Sequence, residues 1–201
     1  VVTKTGVGLK LASFLVGLSG GHMILLLFCT MITSLILGMG VPTTANYVIT
    51  STIAAPALIG VGVPLLAAHM FVFYFGIIAD ITPPVALAAF AGSAISGGNP
   101  LKTAVNASKL GIAAFIVPYV FVLSPAILGI NATALQMGFT TITALIGMIG
   151  VSAAMIGYFY RRVPLVLRIV LFGAGLCLID PTPMTDLVGA GIMLSILVYQ
   201  Y

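Results

Sequence analysis

The sequence predicts an all-α membrane protein containing a re-entrant hairpin and a discontinuous transmembrane helix, followed by further transmembrane helices. Three observations carry that reading. Hydrophobic residues make up 61% of the 201-residue chain and charged residues only 5%, whereas a soluble domain carries roughly 25% charged residues. The apolar residues fall in long runs of the kind a bilayer selects. Two runs are interrupted by polar patches rich in glycine and proline, Gly38-Met39-Gly40-Val41-Pro42-Thr43-Thr44 and Ala79-Asp80-Ile81-Thr82-Pro83-Pro84. Such breaks free backbone N–H and C=O groups that hydrocarbon cannot satisfy, so they must be buried in protein or line a cavity.

Residues 1–8 are mixed in character. From Leu9 to Leu18, the apolar residues Leu11, Phe14, Leu15 and Leu18 recur at i, i+3, i+4 and i+7. One amphipathic face on a segment too short to span suits an interfacial helix. Gly20-Gly21 ends it. Met23 to Leu37 and Thr44 to Leu58 are apolar arms that each reach about 22 Å, short of a hydrocarbon core of about 30 Å. Two short arms joined by a Gly/Pro tip read as a hairpin that enters and leaves on one side. Leu65 to Gly97 is long enough to cross, but a proline both lacks an N–H and displaces the preceding residue from helical geometry. The expectation is therefore two half-helices, 65–78 and 83–97, joined by an unwound link.

Gly97-Gly98-Asn99-Pro100 is a turn signal, and it opens an expected polar loop carrying Lys102 and Lys109. Spans follow at about 110–128 and 132–157, then shorter runs at 166–179 and 187–199. This organises the chain as an interfacial helix (1–21), a transport-domain hairpin with broken helix (22–97), and additional transmembrane helices (98–201). Arg161, Arg162 and Arg168 sit two crossings beyond the Lys102/Lys109 segment, which places both on the cytoplasmic side by the positive-inside rule. The net charge of +4 is thus topological, and no nucleic-acid partner is implied. Cys29 and Cys177 lie within apolar runs and read as small buried hydrophobes, without metal or disulfide spacing. With Val1 in place of a start methionine and no signal-peptide n-region, the chain is expected to be part of a longer polypeptide.

The breaks carry the chemistry. In each, a threonine stands where an N-cap belongs, and Pro83 after Thr82 is suited to a first helical turn. Half-helix N-termini present free N–H groups and a positive dipole end, which suits an anion. Thr44, Asn46, Pro83 and Pro84 are the candidates to meet that substrate. The preceding half-helices end in unpaired carbonyls. Together with threonine hydroxyls such as those of Thr43 and Thr82, these can form the hard-oxygen cage a sodium ion requires. Paired broken helices are a pointer to the ion and substrate site of a secondary transporter.

Asp80 is the one acid inside an apolar segment, and a charge there costs at least ~2.5–3.5 kcal/mol unless paired or wet. Its options are cation coordination, proton coupling, or capping of the nearby half-helix. His69 reads as a packed, hydrogen-bonded histidine with a proton relay as the alternative. Thr30, Thr33 and Ser34 on one arm and Asn46, Thr50 and Ser51 on the other are expected to hydrogen-bond across the hairpin.

The tip Gly38 to Thr44, the closing Ala55-Pro56-Ala57-Leu58 and the run Ile81-Thr82-Pro83-Pro84-Val85-Ala86-Leu87 resemble the second half of the large permease subunit of tripartite ATP-independent periplasmic (TRAP) transporters. The likeness is to the fused branch, in which small and large membrane subunits share one polypeptide. It covers about residues 5–128. It implies one inverted repeat of an elevator-type transporter in a bacterial or archaeal cytoplasmic membrane. It also implies an upstream small-permease portion and an extracytoplasmic solute-binding protein that delivers an organic acid. Residue by residue, it assigns Gly38 and Gly40 to ion binding at the hairpin tip, and Ala79, Thr82 and Val85 to ion binding at the helix break. Better-known sialate and dicarboxylate members typically have glycine where Ala79 stands and an apolar residue where Asp80 stands. Sodium and proton coupling, the latter through Asp80, both stay open. No cofactor beyond the coupling ion is expected. An intramembrane enzyme using Asp80 and His69 is the third alternative; against it, no second acid lies in an apolar run, and no HExxH or GxSxG signature is present.

Overall fold

The computed structural model describes residues 7–180 and 182–200. Among them every regular element is a helix, and the β pairing is confined to an isolated bridge between Tyr158 and Arg162. The chain divides into two compact units, residues 1–108 and 109–201.

The first unit holds α1 (Val7–Leu18), α2 (Met23–Gly38), α3 (Thr43–Ile53), α4 (Ala55–Gly60), α5 (Leu65–Ile78), α6 (Leu87–Ser96) and α7 (Pro100–Leu110). α2 and α3 are the two arms of the hairpin, and both pack on α5. Gly40 turns the tip with φ of +72°, a left-handed conformation that glycine adopts at little cost. The second arm is interrupted at Ala54, because Pro56 starts a new helix in α4. On α2 the residues turned inward are Leu26, Leu27, Thr30, Ser34 and Gly38, while Ile24, Phe28, Ile32 and Ile36 face out. Hydroxyls inside and aliphatics outside is the arrangement of a helix whose outer solvent is lipid.

The expected hydrogen bonds across the hairpin do not form. Thr33 donates to Cys29 O, Thr50 to Asn46 O and Ser51 to Val48 O, each within its own helix. A hydroxyl reaches the carbonyl one turn back more easily than a partner on a neighbouring helix. Thr30 Oγ1 and Ser34 Oγ are buried without a partner. α1 also departs from its expected face. It packs on α2, α3 and α4 through Ala12, Leu15 and Ser19, leaving Phe14 and Leu18 exposed. The buried face is rotated about a quarter turn from the aliphatic stripe, toward small side chains that allow close approach.

The break after α5 is longer than expected. A single 3₁₀ turn, Ala79–Ile81, follows α5, Thr82 is extended, and helix resumes only at Leu87. Pro83 does not open the second half-helix, because the residue before a proline is pushed out of helical geometry and Pro84 imposes that on Pro83. The segment 97–109 is not the expected loop either. Asn99 accepts the Lys102 N–H at 3.1 Å through Oδ1 and the Thr103 hydroxyl at 2.9 Å through its carbonyl. With Pro100 in first position, these nucleate α7, which carries both lysines. α6 packs on α7 through Ala86, Ala89 and Ala104.

The second unit holds α8 (Ile112–Leu123), α9 (Ala134–Ile156), α10 (Leu165–Cys177) and α11 (Pro183–Gln200). Among the described residues, α9 is the helix that alone is long and apolar enough to cross a membrane. The span expected at 110–128 is shorter than that. α8 stops at Leu123, and Pro125 leads into a 3₁₀ turn, Pro125–Leu128. Thr133 and Gln136 form a reciprocal cap at the start of α9. α9, α10 and α11 approach through glycines. A β-carbon on Gly147 would lie 2.6 Å from Gly175 O, and one on Gly189 would lie 2.7 Å from Ala174 O. Arg168 finishes α9 from the next helix, donating to Ala154 O at 2.7 Å and Met155 O at 2.6 Å.

Candidate functional site

The hairpin and the broken helix converge on Asn46. Gly38 closes α2, Asn46 lies in the first turns of α3, Gly76 lies near the end of α5, and Ala79 opens the 3₁₀ turn that follows it. A β-carbon on Gly38 would stand 2.8 Å from both Asn46 Nδ2 and Gly76 O, and 3.1 Å from Ala79 Cβ. One on Gly76 would stand 2.6 Å from Asn46 Nδ2 and 2.9 Å from Oδ1. Glycine is required at both positions because the amide occupies that space. Asn46 is 2% exposed, and its Oδ1 has no hydrogen-bond partner. A buried acceptor left unpaired costs roughly 1–3 kcal/mol.

The helix break has its own carbonyl accounting. Thr82 does not cap α6; its hydroxyl donates back to Ile78 O at 2.7 Å, and its N–H to Ala79 O at 3.2 Å. A hydroxyl whose proton is so engaged offers its lone pairs outward as an acceptor. Ile81 O takes the Ser108 hydroxyl from α7 at 3.0 Å. α6 starts from Ala86, fully buried, with φ of +39° and no side-chain cap. The capping role considered for Asp80 is therefore not the one it has. Asp80 sits half-buried in the 3₁₀ turn next to Ala79.

Of the residues singled out by sequence, Gly38, Asn46 and Ala79 come into direct proximity, with Asp80 and Thr82 following in the same turn. Gly40, Thr43 and Thr44 lie on the exposed tip. Thr43 is a first-turn residue of α3 and Pro42 takes the cap position, without a side-chain bond. The N–H groups of the first turn of α3 have no intrahelical acceptor, as an anion end requires. Pro83, Pro84 and Val85 form the link to Ala86, with a cis peptide between the prolines. Neither proline has an N–H to offer an anion.

Three residues of this region carry no signal that sequence reasoning used. Gly76 is the small residue ending the bulky run Phe71–Phe75, which marks a close approach. Tyr47 hydroxyl lies 3.0 Å from His69 Nδ1, with Tyr47 also packed edge-on against Phe73 at 5.4 Å. Ser108 ties α7 to the break. The last two contacts join segments distant in sequence.

A helical hairpin and a broken helix, packed around buried glycine and amide groups among apolar helices, are compatible with a membrane transporter. Residues 1–136 match the family model described as the tripartite ATP-independent periplasmic transporter, DctM component, and the chain belongs to that family. It is a permease component and not an enzyme, which disposes of an intramembrane acid–base pair at Asp80 and His69. The family implies an inner-membrane location and an extracytoplasmic solute-binding protein as partner. Residues 137–201 lie beyond the match. Neither a curated protein nor a solved structure matches the chain.

Proposed function

We propose that the protein is the second-repeat portion of a fused TRAP permease that couples sodium entry to uptake of an organic acid handed over by its binding protein. The observation that carries the sodium assignment is the buried, unpaired Oδ1 of Asn46 at the meeting of the hairpin tip and the helix break. A cation beside that oxygen would satisfy it. Carbonyls at Gly38 and Ala79 and the Thr82 hydroxyl are the further donors in this reading, with Asp80 contributing negative charge. Gly40, Thr43 and Val85 complete the candidate ion set. Thr44, the first turn of α3 and the start of α6 present N–H groups to the carboxylate of the substrate, with Pro83 and Pro84 shaping the link. In this reading the hairpin and the broken helix travel together as the moving part of an elevator.

The test is ²²Na⁺ binding to the purified full-length permease, followed by organic-acid uptake in proteoliposomes supplied with the binding protein. Imposed sodium and proton gradients are applied separately. Saturable sodium binding that Asn46→Ala weakens about tenfold, the equivalent of one oxygen ligand at about 1.4 kcal/mol, is the expected result. Uptake driven by the proton gradient alone would replace this reading with proton coupling through Asp80.

A further inference from the structure

Straddling the end of the matched residues, and independent of the transport reading, the second unit contains an open, largely apolar cavity with one buried acid in its wall. It measures about 680 Å³ and is lined by Gln136, Thr140, Thr143, Phe139, Ile142 and Asp186, among others, all from α9 except Asp186. Asp186 is 9% exposed, and its Oδ1 has no hydrogen-bond partner. Asp180 lies close enough to act on it electrostatically. Asp180 Oδ2 accepts the Thr182 hydroxyl at 3.0 Å, while the Thr185 hydroxyl donates to Thr182 O at 2.7 Å. Among the described residues, no Lys or Arg lines the cavity. Arg168, a cation of the same unit, is committed to the opposite end of α9. An acid in a cavity without a cation leaves a carboxylate oxygen that a positive donor would satisfy.

We infer that this cavity binds the ammonium headgroup of a phosphatidylethanolamine-type phospholipid. Three features select that occupant. The unpaired acceptor is a carboxylate oxygen, which calls for an N–H donor; a primary ammonium has three and a quaternary one has none. The outer wall is aliphatic and aromatic, with Leu135 85%, Phe139 59% and Ile142 60% exposed. That wall belongs to the helix long and apolar enough to cross a membrane, so acyl chains running along it would stay in hydrocarbon. Finally, Ala134 and Leu135, which also line the cavity, occupy the first turn of α9; the Thr133 hydroxyl takes the Gln136 N–H, and the Ala134 and Leu135 N–H groups have no intrahelical acceptor. They suit the lipid phosphate. Ammonium and phosphate thus meet groups of opposite character in one cavity, which a soluble amine or a bare cation would not exploit.

Native mass spectrometry and thermal melting of the detergent-purified full chain test this, using dioctanoyl phosphatidylethanolamine, phosphatidylcholine and phosphatidylglycerol as probes in sodium-free buffer. The ethanolamine lipid should be retained and should raise the melting temperature, with the other two well behind. Asp186→Asn should lower its retention about tenfold, the loss of one charge-assisted hydrogen bond. Equal retention of all three lipids overturns the inference, as does full ethanolamine-lipid retention by Asp186→Asn. Stabilisation by sodium or by acid with no lipid effect overturns it too, in favour of a cation or proton site. Should Asp186→Asn fail to fold, Phe139→Ala removes an exposed wall residue and decides the matter: headgroup-selective retention in the wild type must fall in that variant.

Discussion

The amide of Asn46 occupies the space where Gly76 would carry a side chain, with Nδ2 2.6 Å from that position. The hairpin and the broken helix are therefore fitted to each other at one residue pair. Gly76→Ala should lower thermal stability by about 1–3 kcal/mol through overpacking and reduce uptake with it. Combining it with Asn46→Ala should restore part of the stability, because the clash has lost its partner. Strict additivity of the two substitutions in detergent melts would contradict the fit.

Thr82 is expected to act through its outward lone pairs. Thr82→Ala should raise the sodium concentration needed for half-maximal uptake by about tenfold, whereas Thr82→Ser should keep near-normal dependence, since both hydroxyls can donate to Ile78 O. Initial uptake rates against sodium concentration check this. An unchanged sodium requirement in Thr82→Ala removes the residue from the site.

Asp80 decides the coupling ion. If its charge supports a sodium cage, Asp80→Asn weakens sodium affinity and leaves the response to a proton gradient unaltered. Loss of a pH-gradient response in the same variant identifies a proton shuttle instead. The amide keeps the shape in both cases, so the two results separate cleanly in proteoliposomes with one gradient imposed at a time.

The Tyr47–His69 contact predicts a structural effect and no kinetic one. Tyr47→Phe keeps the edge-on packing against Phe73 and deletes one hydrogen bond, so stability should fall by about 1 kcal/mol. Uptake per folded molecule should hold, and His69→Gln should behave similarly. A changed pH profile of uptake in either variant would make His69 part of a proton path.

Much of this architecture is legible in the residues themselves. Apolar runs punctuated by Gly and Pro mark the arm Met23–Gly38, the start of the second arm at Thr43 and the end of α5 at Ile78 within a residue or two, because backbone rules act locally. The end of the second arm at Ile53 falls five residues short of the expected Leu58, because Pro56 starts a new helix. The restart of helix at Leu87 is hidden by a compound effect, in which Pro84 keeps Pro83 from serving as a first-turn proline. The helix at Pro100–Leu110 is hidden because Gly97-Gly98-Asn99 reads equally well as a loop and as the cap of a helix beginning at Pro100. Among the candidate site residues, Gly38 and Thr82 stand out in the sequence by type and position, and Ala79 through the family resemblance alone. Gly76 and Ser108 do not, since their importance lies in what crosses them from other segments. The buried face of α1 escapes a reading of periodicity for the same reason: packing selects Ala12 and Ser19 over the bulkier stripe.

Arg168 gives the last turn of α9 its hydrogen bonds from within the next helix. Synthesis therefore delivers the C-terminal carbonyls of α9 before the side chain that closes them. Until that arginine has left the ribosome, the Ala154 and Met155 carbonyls at the end of the 23-residue helix lack the side chain that closes them. The order of manufacture is thus written into the structure: α9 enters first with an open end, and α10 arrives carrying its seal.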